Sequence, residues 1–115
     1  MIGIRHRFHG YNSLRDVYRR GQTLRASGLS LKFARRGQKR PYRVAVVVSR
    51  KVSKSAVVRN RIRRRIYETV RLDADKIEPG LDLVFTVFEE RLADMPITDL
   101  QSAISGLLQK TAASH

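Results

Sequence analysis

The sequence predicts an α/β sandwich, of α+β composition, in which the order helix, strand, strand, helix, strand, helix surrounds a small mixed sheet. Three observations carry that expectation. The chain has 115 residues, 42% of them apolar, which is enough for one hydrophobic core and too few for two. In three short stretches apolar residues alternate or run continuously, as in half-buried and buried strands. In three others they recur every three or four residues, as on one face of a helix. One domain over residues 1–115 is therefore expected.

The first helix is expected from Asn12 to Arg20. Leu14, Val17 and Tyr18 share a face, Asn12 or Ser13 caps the start, and Gly21 ends it. Leu29, Leu31 and Phe33 then alternate with Ser30 and Lys32, predicting a half-buried strand. The basic run Arg35 to Pro41 has the Gly, Pro and charge content of an exposed hairpin loop. Residues 42–48 are apolar on both faces, which predicts a central strand.

From Ser55 the period changes, with Val58, Ile62, Ile66 and Val70 recurring every four residues along a second helix. Glu78-Pro79-Gly80 interrupts the chain before Leu81, Leu83, Phe85 and Val87 alternate, with Val84 and Phe88 on the other face. That is a third, largely buried strand. The closing helix shows Leu100, Ala103, Ile104, Leu107 and Leu108 in one stripe, with Thr98 and Gln101 at capping-box spacing and Asp99 at the positive helix start. Residues 1–5 and 111–115 are expected to be frayed.

Charge narrows the function. Lys and Arg number 24 against 10 Asp and Glu, a formal net charge of +14. Residues 1–71 hold 21 of the basic and 2 of the acidic side chains, so the excess is concentrated rather than mixed over the surface. A polyanionic partner is expected to bind there. The absence of cysteine excludes a disulfide framework and a thiolate zinc site. No apolar stretch suits a secretory leader or a spanning helix, so a cytoplasmic location is expected, with no membrane partner.

The densest chemistry runs from Arg50 to Arg65, half cationic and without an acid. At about 100° per residue, Asn60, Arg61 and Arg64 point away from the apolar stripe, Arg63 and Arg65 flank it, and Arg59 reaches past the helix end. Guanidinium forks bridge phosphate oxygens or stack on bases, and Asn60 adds a neutral donor and acceptor. The combination fits folded RNA, where phosphates, 2′-hydroxyls and open bases occur together. Ser53, Lys54 and Ser55 stand where helix amides favour phosphate. The bland alternative is a solvated charged face, but uncompensated i, i+4 arginine pairs repel one another, which suggests a ligand.

Ala56-Val57-Val58-Arg59-Asn60-Arg61-Ile62-Arg63-Arg64 resembles the signature of the bacterial ribonuclease P protein subunit. The likeness extends from Arg7-Phe8 through Val46-Val47-Val48-Ser49-Arg50-Lys51 to the Leu-rich closing helix. It implies an accessory subunit of an endoribonuclease whose RNA subunit, using Mg2+ that the RNA mainly holds, removes the 5′ leader of precursor tRNA. Its partners would be that catalytic RNA and precursor tRNA, with no other protein required. Carried over, Arg50, Lys51, Lys54, Arg59, Asn60, Arg61, Arg63, Arg64 and Arg65 would contact RNA, while Tyr18 and Leu14 would line a leader cleft. The resemblance also implies a left-handed crossover between parallel second and third strands, against the usual hand. Leu14 stands where the family often carries Phe, and Tyr67 where a further Arg is common, leaving Tyr67 to stack.

Other residues read as structural. His6 and His9 have helical metal-ligand spacing without a clear third ligand, so no protein-bound metal is expected. Phe8 and Tyr11 read as packing residues, and Phe33, Phe85 and Phe88 as core. Glu89 and Glu90 point to opposite sides of a strand end and are expected to be solvated. No catalytic triad, P-loop or acid pair is visible, so catalytic residues in the protein itself are not expected. A ribosomal or general structured-RNA-binding protein without a role in cleavage is the alternative, and a DNA-reading basic helix a third possibility.

Overall fold

Helix α1 (Tyr11–Arg20) is followed by strands β1 (Gln22–Ala26), β2 (Leu29–Arg35) and β3 (Arg43–Val47), helix α2 (Ala56–Leu72), strand β4 (Leu81–Val87) and helix α3 (Ile97–Ala113). Short 3-10 turns at Ala74–Lys76 and Glu90–Ala93 flank β4. This computed structural model describes residues 11–37 and 41–113. The strands form one mixed sheet in the order β1-β2-β4-β3, with β1, β2 and β4 antiparallel and β3 parallel to β4.

β1 is an addition to the expected elements. In its sequence Gln-Thr-Leu-Arg-Ala only Leu24 and Ala26 turn half-buried toward the core, an alternation too short to mark a strand. It pairs with β2 through the turn at Gly28, whose φ of +78° suits glycine. This is the hairpin of the fold. The basic run 35–41, expected to be a hairpin loop, instead leads from β2 to a strand that is not its neighbour, because β4 lies between them.

That insertion also corrects the central-strand assignment. β3 is an edge strand, and β4 occupies the centre with six of its seven residues buried. The valines of β3 are apolar on both faces because Val44 and Val46 enter the main core, while Val47 meets the packing beneath α1. On its open side the Val46 N–H donates to the Tyr67 hydroxyl at 3.3 Å. Tyr67, expected to stack, instead satisfies a strand-edge donor.

α2 and α3 cover one face of the sheet. Ile62, Ile66 and Val70 from α2 and Leu100, Ile104, Leu107 and Leu108 from α3 are buried with Leu31, Phe33, Leu83 and Phe85. Burying a side chain of this size contributes roughly 1.5–3 kcal/mol, so the stripes hold both helices in place. α3 begins at Ile97, one residue before the expected Thr98 cap, and its first-turn amides at Asp99 and Leu100 bond the Pro96 carbonyl. It also runs into the tail expected to fray. Thr111 is buried, its hydroxyl donates to Leu108 O at 2.6 Å, and its carbonyl accepts from Arg35.

α1 covers part of the opposite face, with Val17 buried against Ala34 and Val84 and Leu14 at the margin. It begins at Tyr11, so Asn12 and Ser13 lie inside the helix rather than before it. Gly21 ends it by donating to Val17 O at 2.7 Å; a Cβ there would stand 2.4 Å from that oxygen. Phe88, expected in the core, is 55% exposed, because β4 ends at Val87 and the sheet offers no covering element beyond it.

Candidate nucleic-acid interface

The N-terminus of α2 is built from two serines. Ser55 is the cap, its hydroxyl accepting from Val58 N at 3.2 Å, and its own N–H donates to Oγ of the buried Ser53 at 3.2 Å. With both serines fixed, Arg50, Lys51 and Lys54 are thrown outward and line one shallow depression. Among the described residues these three cations have no hydrogen bond or ion pair.

The α2 arginines divide into two groups. Asn60, Arg61 and Arg64 are exposed, as their helical phase predicts, and Arg64 has no partner among the described residues. Arg61 reaches Asp94 at 3.3 Å across an open surface, with the Asp94 side chain 84% exposed. Such a pair contributes little and leaves the guanidinium available. Arg63 donates to Asn60 Oδ1 one turn earlier, which orders both side chains.

Arg59 and Arg65 turn inward. Arg59 folds back so that its Nη1 donates to Ser53 O at 2.9 Å, stapling the loop to the helix instead of extending past its end. Arg65 donates from Nη1 to Leu92 O at 2.6 Å and from Nη2 to Met95 O. Both carbonyls belong to the 3-10 turn and its exit, so Arg65 ties that turn to α2.

On the opposite face, register arranges side chains in rows. Arg25, Ser30, Thr86 and Val47 form one row; Thr23, Lys32, Val84 and Ala45 the next; Ala34, Asp82 and Arg43 the third. α1 packs over part of these rows, with Val17 and Leu14 against Ala34, Val84 and Val47. The Tyr18 ring is 42% exposed, with Lys32 Nζ 5.5 Å from the ring centroid. Leu14 is half-buried next to it.

Two features here escaped the sequence. Asp82, 1% exposed at its side chain, accepts from Arg36 Nε at 2.7 Å and from Arg43 Nε and Nη2 at 2.9 and 2.8 Å. A lone acid inside a buried apolar run is the signal that could have revealed it. Lys32 was visible only as the polar half of an alternating strand, with nothing to place it over Tyr18.

Among the described residues no three His, Cys, Asp or Glu side chains gather as a metal site, and none of the helices is long and apolar enough to cross a membrane. His6, Phe8 and His9 lie outside the described residues, as does the Tyr11 side chain.

The arginine-rich α2 and the helix α1 that carries Tyr18 thus lie on opposite faces of a sheet with a β3-α2-β4 crossover. A family model described as Ribonuclease P matches residues 4–112. The chain belongs to the ribonuclease P protein family. It is 41% identical over 96 residues to the ribonuclease P protein component of Chloroflexus aurantiacus (strain J-10-fl), covering 84% of this chain and 70% of that one. The Roseiflexus castenholzii ribonuclease P protein component is 40% identical over 94 residues, covering 82% and 75%. Among solved structures, the RNase P protein from Thermotoga maritima superimposes with a TM-score of 0.81 at 23% identity, over 92% of this chain and 97% of that one. The Staphylococcus aureus RNase P protein gives 0.78 at 20% identity, over 92% and 94%. These two establish the shared fold. Family membership makes the chain a protein subunit of ribonuclease P, an RNA-binding component of a tRNA-processing endoribonuclease, and leaves the ribosomal alternative without support.

Proposed function

We propose that this ribonuclease P protein works through two RNA-facing surfaces in the bacterial cytoplasm. The exposed face of α2, with Asn60, Arg61, Arg63 and Arg64 and the Arg50, Lys51 and Lys54 loop, docks on the catalytic RNA. The cleft lined by Tyr18 and Leu14 receives the 5′ leader of precursor tRNA. The RNA subunit, with Mg2+ that it holds, hydrolyses the phosphodiester bond. Arg59 and Arg65 belong to the same surface as positioning residues that fix the loop and the turn around it.

The observation that carries this reading is the placement of the two surfaces. α2 packs on one face of the sheet through Ile62 and Ile66, and α1 on the other through Val17. The loop of exposed Arg50, Lys51 and Lys54 joins the end of β3 to α2, linking the two sides. A protein so arranged neutralises phosphates of two RNAs at once. Counterion release supplies affinity, and guanidinium forks supply orientation. Substrates that retain a leader gain more than mature tRNA because only they fill the cleft.

The test is reconstitution. The protein, added to bacterial ribonuclease P RNA at low magnesium, is expected to increase 5′-leader removal and to tighten binding of leader-bearing substrate relative to mature tRNA. Absence of both gains would overturn the reading. Equal competition by duplex DNA and structured RNA at fixed salt would favour a nonspecific basic helix instead.

A further inference from the structure

We infer that the groove between α2 and α3 takes one unpaired nucleobase of the catalytic RNA. The inference rests on α2 docking on that RNA and adds a pocket beside its arginine face. Helical spacing builds the groove. On α2, Arg64, Glu68 and Leu72 recur every four residues as an outer ridge, with Arg65 and Thr69 one row further in; Ile97 and Gln101, also four apart, line the other side from α3. The space between them has a volume of about 440 Å³, within the roughly 300–1,000 Å³ of small-molecule sites.

Its walls are apolar and open. Leu72 is 58% and Ile97 48% exposed, although the apolar stripes of both helices are otherwise buried. The floor is fixed. Thr69 is buried with its hydroxyl donating to Arg65 O at 2.8 Å, and the Arg65 guanidinium is held by Leu92 O and Met95 O. A pocket whose floor is already ordered loses little freedom when a flat ligand enters. The Glu68 carboxylate accepts from Arg71 Nε at 3.0 Å, so the acid in the lining is already countered. The Gln101 amide, half-buried, has no hydrogen bond among the described residues.

The lining selects the ligand class. An apolar slot with one neutral donor and acceptor at its side matches a nucleobase, whose faces are apolar and whose edge carries donors and acceptors. An aliphatic side chain from a protein partner would cover the Gln101 amide and leave it unpaired. Charge selects the source. Arg64 stands on the outer ridge, exposed and without a partner among the described residues, and Arg61 lies on the same outward face. The phosphate of an inserted nucleotide would meet a cation already in place. A second copy of this chain would instead bring together two molecules of formal net charge +14. Two exposed apolar side chains are also far too few for the roughly 800 Å² per partner of a stable protein interface.

The experiment measures binding of the protein to bacterial ribonuclease P RNA over a range of salt concentrations. The double variant Leu72→Ser, Ile97→Ser and, separately, Gln101→Ala are each expected to lose about five- to tenfold in affinity at the salt slope of the wild type, because neither removes a phosphate contact. Urea unfolding of Gln101→Ala is expected to keep the wild-type midpoint, which separates its loss from a folding effect. A photoreactive side chain in place of Ile97 is expected to mark one unpaired nucleotide. Making that nucleotide abasic is expected to erase the difference between wild type and the double variant. Wild-type affinity in both variants, or crosslinks with no preferred nucleotide, would overturn the inference. So would self-association of the wild type that the double variant abolishes while RNA affinity is kept, since the groove would then hold a second copy. An Arg64→Ala variant that alters neither affinity nor salt slope would instead remove the α2 docking reading on which this one stands.

Discussion

Arg65 lies in the most cationic run of the chain, yet its Nη1 donates to the main-chain carbonyl of Leu92 at 2.6 Å. Its second terminal nitrogen meets Met95 O. A guanidinium so engaged works as an anchor for the turn between β4 and α3. Arg65→Ala, which leaves two carbonyls without their donor, is expected to destabilise the protein by about 2 kcal/mol. Urea unfolding would show a lower midpoint at unchanged slope. Unaltered stability together with an RNA-affinity loss as large as that of Arg64→Ala would assign Arg65 to the interface instead.

Arg64 is the contrasting case, exposed and unpaired among the described residues. Arg64→Ala is expected to reduce the salt dependence of catalytic-RNA binding by about 0.7–0.9 in log–log slope, the value for one phosphate, without altering the melting temperature. Asp94, 3.3 Å from Arg61, partly neutralises the same face. Asp94→Asn is therefore expected to raise RNA affinity by up to about fivefold at low salt. A slope unchanged by Arg64→Ala, or weaker binding by Asp94→Asn, would contradict the placement of this surface.

Tyr18 presents a ring beside Lys32, 5.5 Å from its centroid. Removing the ring by Tyr18→Ala is expected to cost about tenfold in affinity for leader-bearing precursor tRNA, with mature tRNA little affected and Tyr18→Phe near wild type. Full discrimination by Tyr18→Ala would make the residue a margin of the α1 packing and nothing more.

Asp82 is 1% exposed at its side chain and holds both Arg36 and Arg43. Asp82→Asn removes the charge but keeps the shape, and is expected to destabilise by about 3 kcal/mol because two arginines lose their counterion in a half-buried site. Chemical denaturation measures it; a change below about 1 kcal/mol would mean that water replaces the carboxylate at no great loss.

Acid sensitivity follows from surface pairs. The Arg71 guanidinium holds the Glu68 carboxyl down to about 2, from an ordinary value of 4.5. Arg20 lowers Asp16 and Arg91 lowers Glu89 in the same way. A lowered folded value means that the ionised form stabilises the fold, so the contribution is present above the ordinary value and lost as pH falls towards the folded one. Melting temperature is expected to hold between about pH 7 and 5 and to fall below about 4.5, less steeply in Glu68→Gln. Because these groups are exposed, high salt is expected to shrink the decline. An identical acid profile for Glu68→Gln would deny that pair a part in it.

Legibility differed between elements for physical reasons. α2 and α3 were readable because their stripes, Ile62-Ile66-Val70 and Leu100-Ile104-Leu107, are what the core requires at each turn of a helix. β1 was not, because only Leu24 and Ala26 of this short edge strand face the core, too few apolar positions to set a period. Phe88 was misplaced because alternation tells which side a residue takes but not whether anything covers it there. Of the arginine run, the outward phase of Arg61 and Arg64 followed from helical geometry alone. The inward turn of Arg59 and Arg65 did not, since a long flexible side chain finds its acceptors among carbonyls contributed by other segments.

Composition and local periodicity by themselves determined a basic α+β domain, its second and third helices and the outward cationic face of Arg61 and Arg64, since net charge and side-chain phase are properties of the chain before it folds. The tertiary structure alone decided that β4 enters between β2 and β3, that Asp82 meets Arg36 and Arg43, and that Arg65 closes on Leu92 O. Those contacts join segments 27 to 46 residues apart. Which distant groups meet is set by the sheet order, and no local pattern encodes it.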